Sequence, residues 1–413
     1  MGPQRRYDLV LFGATGFTGA LTAGHLARNR PPGCRWALAG RDLGKLEALR
    51  ARLAEELPDD PDLAKLPLLV ADSGDRQALR EVAAAARVVV STVGPFLTHG
   101  EPLVAACAEE GTDYLDLTGE PEFVDLMYLR HHQRAVATGA RLVHCGGFDS
   151  VPHDLGVLFT VGRLPDAADS PVRVEGFLRG SGAPSGGTLA SVLAAFARPL
   201  GMAQAARRRR AADPAPAGRR IRLGVGLPRW SRTAHAWVLP LPTVDPQVVA
   251  RSAAALPGYG PDFHYTHHVA VKRLPAAAAL VLGTAVLAAA APVPPLRRVL
   301  ERLRPAGEGP DAAKRARSWF TVRFVGVSRG HRVVTEVSGG DPGYGETSVM
   351  LGESALCLAF DELPRTAGQV TTAAALGPAL IDRLTAAGLR FTVLDRPPTA
   401  APGPVGRPAG VTG

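Results

Sequence analysis

The chain has 413 residues, of which 46% are hydrophobic and 21% charged, an ordinary globular balance with core enough for two or three domains. Lysine and arginine number 47 against 38 aspartates and glutamates, a net charge of +9; this favours an acidic partner such as a phosphate-bearing cofactor, an anionic lipid surface or an acidic carrier protein, although arginine-rich loops that only aid solubility are the plainer reading. Nucleic acid, a further acidic partner, is not expected, because no zinc spacing, aromatic-studded sheet motif or basic recognition helix accompanies the charge, and four scattered cysteines without a C-x-x-C pair point to a reduced, cytoplasmic chain.

The first predicted element, "YDLVLFG" (7–13), is an apolar strand that runs into Gly13, Gly16 and Gly19. Six apolar residues behind two arginines are too few for a signal-peptide core of roughly 7 to 15 residues. Three glycines at that spacing between a strand and a helix suit a pyrophosphate. Gly13 makes the tight turn, Gly16 lets main-chain amides approach the phosphates, and Gly19 lets the helix pack on the sheet. Thr15 and Thr18 add hydroxyl donors, with Phe17 between them. A glycine-rich turn without a ligand is the alternative, against which the strand-to-helix position argues.

The second strand, "RWALAG" (35–40), leads to Arg41 at its tip and Lys45 one helical turn later. An NAD site wants a carboxylate there and an NADP site a cation. Arg41 and Lys45 therefore predict NADP(H), and Asp42 fits a helix cap. Asp72 ends the third predicted strand, "LPLLVAD" (66–72), where it either touches the adenine edge or caps the helix that begins near Asp75. Three more apolar runs follow at 87–94, 113–119 and 141–147, with leucine and alanine at helical spacing between them. The fold class is thus α/β, with a doubly wound parallel (Rossmann) sheet in residues 1–155.

The fourth strand ends in "STVGPF" (91–96), and "CAEEGTDYLDLTGE" (107–120), "HCGGFDSVPHDLG" (144–156) and "SGGDPGYGETSVMLGESALCLA" (338–359) follow. With the opening "GATGFTG", these blocks resemble the saccharopine dehydrogenase-like oxidoreductases, in particular the branch of bacterial trans-acting enoyl reductases. The resemblance implies that Gly94, Pro95 and Phe96 run past the nicotinamide ribose. It also implies that Asp116, Thr118, Glu120, Asp149, Ser150 and Asp154 face the substrate crevice, with Glu120, Asp149 and Ser150 as candidate catalytic groups. Helix capping before Val151-Pro152 and Pro121 remains an equal reading for these last three. Gly340 to Tyr344 reads as a hairpin turn.

Residues 156–395 read as a second, α+β domain that closes over the cofactor and offers a dimer surface, so a homo-oligomer is expected. Its strands alternate in the period of an antiparallel sheet at 172–182 and in the pair 318–330 and 331–340, joined through Arg329-Gly330. Helices are expected at 186–198, 276–291 and 369–387, a mobile loop at 206–220, and a disordered tail at 396–413. Residues 274–296 carry no charge. Prolines limit the helix there to ~24 Å against a ~30 Å hydrocarbon core. It reads as a buried helix, with peripheral membrane contact as the alternative. His264 and His268 stand at i, i+4 without an acidic motif, and no metal is assigned.

The expected activity is an NADPH-dependent reductase acting on a small-molecule or lipid-like substrate, the enoyl part coming from the resemblance. Carbon–nitrogen oxidoreduction of an amino-acid conjugate and a non-catalytic NADP-binding scaffold at a membrane are the competing readings. The chain holds no Tyr-x-x-x-Lys, which argues against a short-chain ketoreductase.

Overall fold

The computed structural model describes residues 5–181, 196–241, 243–293, 296, 310–396 and 398–404. Strands β1 (Tyr7–Phe12), β2 (Trp36–Gly40), β3 (Leu68–Val70), β4 (Ala86–Ser91), β5 (Asp113–Asp116) and β6 (Arg141–Val143) alternate with α1 (Phe17–Asn29), α2 (Leu43–Glu56), α3 (Arg76–Ala85), α4 (Phe96–His99), α5 (Glu101–Glu110) and α6 (Pro121–Thr138). All six strands pair in parallel, in the order β6-β5-β4-β1-β2-β3. Each strand feeds both faces: Leu9, Leu11, Val88 and Val90 join one core, while Val10, Phe12, Ala37 and Val89 join another under α3, α5 and α6. This two-sided burial is why the strands read as unbroken apolar runs. The order reverses between β1 and β4, which opens a crevice at their carboxyl ends.

Helix α7 (Val151–Val161) crosses to a second sheet. That sheet is built from β7 (Val172–Ser181), β8 (Arg220–Gly224), β9 (Arg229–Ser231), β10 (Ala236–Pro240), β11 (Asp262–Val271), β12 (Trp319–Ser328), β13 (His331–Gly339) and the late β15 (Arg390–Val393). Between them lie α8 (Pro199–Ala212), α9 (Asp245–Ala255), α10 (Leu274–Ala290) and α11 (Ala312–Arg317). The sheet is mixed, since β11 runs parallel to both β7 and β8 while its other pairings are antiparallel. The predicted hairpin turn at Arg329-Gly330 is present, with φ of 46° and 83°, the paired positive values a two-residue hairpin requires.

After β13, helix α12 (Gly345–Phe360) returns to the first sheet and packs on α1, and β14 (Gly368–Val370) adds a seventh parallel strand outside β6. Helices α13 (Thr372–Ala375) and α14 (Gly377–Ala386) complete the chain's last third. The two units share one core, in which Leu9 and Val88 join Val151, Leu155, Phe324 and Val337. A boundary at residues 155/156 therefore cuts α7, whose Gly156 lies so close to Phe324 that a Cβ there would stand 2.3 Å from the ring.

Other expectations change as well. Residues 206–212 of the predicted mobile loop are helical in α8, where Arg209 is buried, lies over the Tyr128 ring and is hydrogen-bonded to Gln369 and Asp213. The expected helix at 369–387 is interrupted and begins as strand β14. The expected helix at 186–198 lies mainly outside the described residues. Part of the predicted disordered tail is ordered: the carbonyls of Pro398, Ala400, Pro402 and Gly403 accept hydrogen bonds from His235, Arg323, Arg179 and Thr321. Residues 405–413 lie outside the described residues. The buried reading of 274–296 is also overturned. Ala277 is the one buried residue of α10, and Leu282 and Val286 are 67% and 58% exposed.

Candidate active site

The glycine turn at the end of β1 is held from two sides. Gly13 N donates to Ala39 O at the end of β2, and the Thr92 hydroxyl, just past β4, donates to Gly13 O at 2.9 Å. Gly13 itself has φ of 84°, the left-handed region that glycine enters freely. A Cβ on Gly19 would lie 2.2 Å from Gly13 O. Helix α1 starts at Gly16 with no side-chain cap. Among the described residues the amides of Phe17, Thr18 and Gly19 have no acceptor, and the Thr15 and Thr18 hydroxyls have no partner. Free amides at a helix N-terminus make an anion site. The Phe17 ring is held edge-on by Tyr344 at 4.7 Å, so the loop that follows β13 leads into α12 and braces the glycine turn, where a strand-to-strand turn was expected.

Arg41 and Lys45 follow β2, both exposed and, among the described residues, without an ion pair. Asp42 is spent on the cap of α2, where its Oδ1 accepts from Lys45 N at 3.1 Å. Asp72 lies two residues past the end of β3, exposed, and accepts from Gly74 N at 2.8 Å, while Asp75 caps α3. Thus the cation pair is free and the first-turn carboxylate is not.

Gly94 and Pro95, joined by a cis peptide bond, are exposed on the loop after β4, and Phe96 turns inward against Phe123. Glu120 holds this loop in place: its two carboxylate oxygens accept from Phe96 N and Leu97 N, both at 2.9 Å. Burial raises its pKa, and these two amides offset part of the rise. Glu120 therefore acts as the cap of α4, and both of its oxygens are occupied. Glu120→Ala is expected to cost about 2–3 kcal/mol through two stranded amides, measurable as a lowered midpoint in urea unfolding.

At the ends of β5 and β6, buried Asp116 accepts from Thr118 N and Cys145 N and lies 2.6 Å from His144 Nδ1. Among the described residues His144 Nε2 has no partner. His144 and Cys145 also border a cavity of about 210 Å³ that reaches Val124, Arg209, Arg251 and Val370 at the carboxyl ends of β6 and β14. Asp149 is half-buried and packs so near Gly119 that a Cβ there would be 2.8 Å from Asp149 Oδ2. Its carboxyl makes no hydrogen bond among the described residues. Burial pushes its pKa up to about 7, the Asp245 carboxylate adds to the rise and His153 opposes it. Ser150 is fully buried at the start of α7, yet among the described residues its Oγ makes no cap and no other hydrogen bond. Asp154 is a structural group, taking the Ser252 and Thr372 hydroxyls and Ala373 N.

Residues 9–143 match the saccharopine dehydrogenase NADP-binding domain family. A trans-acting enoyl reductase of Mycobacterium leprae is 35% identical, the alignment covering 94% of this chain and 98% of that protein. A Mycobacterium tuberculosis protein provisionally given the same name is 38% identical over 93% of this chain and 97% of its own length. The chain belongs to the trans-acting enoyl reductase family. Saccharopine dehydrogenase (L-Glu forming) of Saccharomyces cerevisiae shares its fold, with a TM-score of 0.53 at 12% identity over 94% of this chain and all of that one.

The cofactor of the matched domain family, NADP(H), fits what the turn offers: amides and, after β2, a guanidinium and an ammonium that are unpaired among the described residues. Gly13, Gly16, Gly19, Arg41 and Asp149, named from the sequence, all follow the carboxyl ends of strands in the first sheet. Sequence reasoning missed the clamp of Glu120 on α4, the Asp116–His144 pair and the Tyr344 brace. His144 stood inside the quoted "HCGGFDS" block, but its partner is 28 residues upstream, and only strand adjacency joins them.

Proposed function

We propose that the protein is an NADPH-dependent enoyl reductase that acts in trans on a lipid or polyketide-type acyl chain. The observation that carries this reading is that an uncapped α1 N-terminus, an exposed Arg41 and, among the described residues, a partnerless Asp149 all follow the carboxyl ends of strands in one parallel sheet. Gly16 to Gly19 hold the diphosphate, Arg41 and Lys45 the 2′-phosphate, and Gly94-Pro95-Phe96 line the nicotinamide side. Bound NADPH supplies the hydride, which goes to the β-carbon of the conjugated alkene. Asp149 delivers the proton to the α-carbon, and the cavity beside His144 receives part of the acyl chain. The test is NADPH oxidation at 340 nm with a trans-2-enoyl thioester, together with product mass. A product two hydrogens heavier supports the proposal. NADPH binding without turnover refutes it, and reductive amination of an oxo acid instead would restore the carbon–nitrogen reading.

Arg41→Glu is expected to weaken NADPH by about 2–3 kcal/mol, a factor of roughly 30 to 150, and to leave NADH nearly unchanged. Calorimetric titration with both dinucleotides reads this directly, and equal losses for both would remove Arg41 from the 2′-phosphate site.

Among the described residues no helix is long and apolar enough to cross a membrane. The exposed α10 begins directly after exposed Lys272 and Arg273. We infer that it lies flat on an anionic bilayer, the medium in which a lipid-like acceptor resides. The full chain should float with phosphatidylglycerol vesicles, and Leu282→Glu with Val286→Glu should reduce the floated fraction about tenfold. A wild-type chain that sediments alone, or a dimer that the double variant splits, would replace the bilayer with a second copy as the occupant.

A further inference from the structure

Three buried side chains from three elements meet behind the crevice wall: His153 in the first turn of α7, Asp245 in the first turn of α9, and His267 within β11. They are 1%, 2% and 3% exposed. One donor atom from each lies within 4.8 Å of the other two. His153 Nδ1 is 2.7 Å from Asp245 Oδ1, and His267 Nε2 is 3.8 Å from Asp245 Oδ2. Even so, among the described residues His153 Nδ1, Asp245 Oδ1 and His267 Nε2 make no hydrogen bond. The closest pair is near enough but out of line. Such an arrangement arises when lone pairs point at a shared position rather than at each other. A plain Asp–His ion pair would align the N–H with the oxygen and would still leave His267 Nε2 buried and unmet, an expensive state for a polar atom.

The two imidazole planes stand at 83° with centroids 4.6 Å apart, so each ring can offer an edge nitrogen to the space between them. Behind His267, Nδ1 lies 2.9 Å from the Tyr265 hydroxyl. In the tautomer that carries its proton on Nδ1, the Tyr265 hydroxyl accepts that proton and Nε2 is left as a lone-pair donor, the outer hydrogen bond that characteristically orients a metal-bound histidine. Two imidazole nitrogens and one carboxylate suit a borderline divalent cation such as Zn²⁺. Ca²⁺ and Mg²⁺ prefer all-oxygen cages. The i, i+4 pair His264 and His268 is not part of this group. Side chains alternate along a strand, so His264 and His268 occupy the face opposite His267, and His268 Nε2 is instead held 3.1 Å from Arg229 Nη1.

We propose that His153, Asp245 and His267 form a site for one Zn²⁺-class ion, with a fourth position open to water. The ion would tie α7 to α9 and β11, and so brace the segment that carries Asp149 and Ser150.

The test uses the untagged full chain, stripped with a chelator, dialysed and titrated with Zn²⁺ by calorimetry, with bound metal counted by mass spectrometry. About one Zn²⁺ per chain with a micromolar or tighter Kd is expected, and a melting temperature raised by about 3 °C or more at saturation. Co²⁺ in its place should give visible d–d absorption. His267→Gln and His153→Gln should each weaken Zn²⁺ at least about tenfold and lose that absorption, and His264→Gln should do neither. NADPH affinity shows that each variant is folded. Retention of under about 0.1 Zn²⁺ per chain, or wild-type binding by His267→Gln, would overturn the proposal.

Discussion

Gly19→Ala is expected to weaken NADPH binding by at least about a hundredfold, roughly 3 kcal/mol. The new Cβ would stand 2.2 Å from Gly13 O, 2.9 Å from Thr92 Oγ1 and 3.0 Å from the Ala14 carbonyl carbon. Two of these are main-chain atoms and cannot swing aside as a flexible side chain would. Gly13 O is further pinned by the Thr92 hydroxyl and by Gly16 N. The turn must therefore move as a unit, and the amides of Phe17 and Thr18 move with it, away from the diphosphate they are placed to bind. Gly283→Ala is the matched control, because a Cβ there meets nothing within 4 Å. Titration of NADPH fluorescence compares the two, and a Gly19→Ala variant that binds within about threefold of the wild type would break the link between this turn and the cofactor.

The second large effect is expected at Asp149. Asparagine keeps the shape of the side chain and removes the transferable proton, so kcat with an enoyl acceptor should fall by about a hundredfold or more. The dissociation constant for NADPH should stay the same, since Asp149 is not among the groups assigned to the dinucleotide. Stability should hold or rise, because a neutral amide replaces an ionisable carboxyl that burial penalises. Steady-state kinetics with a parallel NADPH titration separates these quantities. An unchanged kcat would move proton delivery to another group, and His144, oriented by Asp116 at 2.6 Å, would be the next to replace.

The leading strands were legible because all but the short, half-exposed β3 are largely buried on both faces and so carry an apolar run bounded by turn residues. β14 was not, since Gly368, Gln369 and Val370 are too few to show a period, and their pairing with Arg141 to Val143 spans more than two hundred residues of chain. The run Arg207 to Arg210 reads as a solvated stretch, yet Arg209 turns inward over Tyr128. Charge alone does not reveal which of four neighbouring arginines finds a ring. Residues 274–290 are apolar on every side, so their composition carries no stripe to say which face, if any, is covered. In the crevice, residues that act through the main chain were readable from spacing. Those that act in pairs, Glu120 with the α4 amides or Asp116 with His144, depended on strand order.

The placement of α12 and β14 on the first sheet bears on how this protein is made. While a ribosome is still adding residues beyond the first two hundred, the nascent nucleotide-binding half has an open edge along β6 and an uncovered apolar surface beside α1. The apolar surface waits for α12 (Gly345–Phe360) to leave the exit tunnel, and the edge along β6 waits for residue 370. Fragments that stop near residue 155 are thus expected to be sticky in the cell, and the nucleotide-binding half matures only when the end of the polypeptide comes back to it.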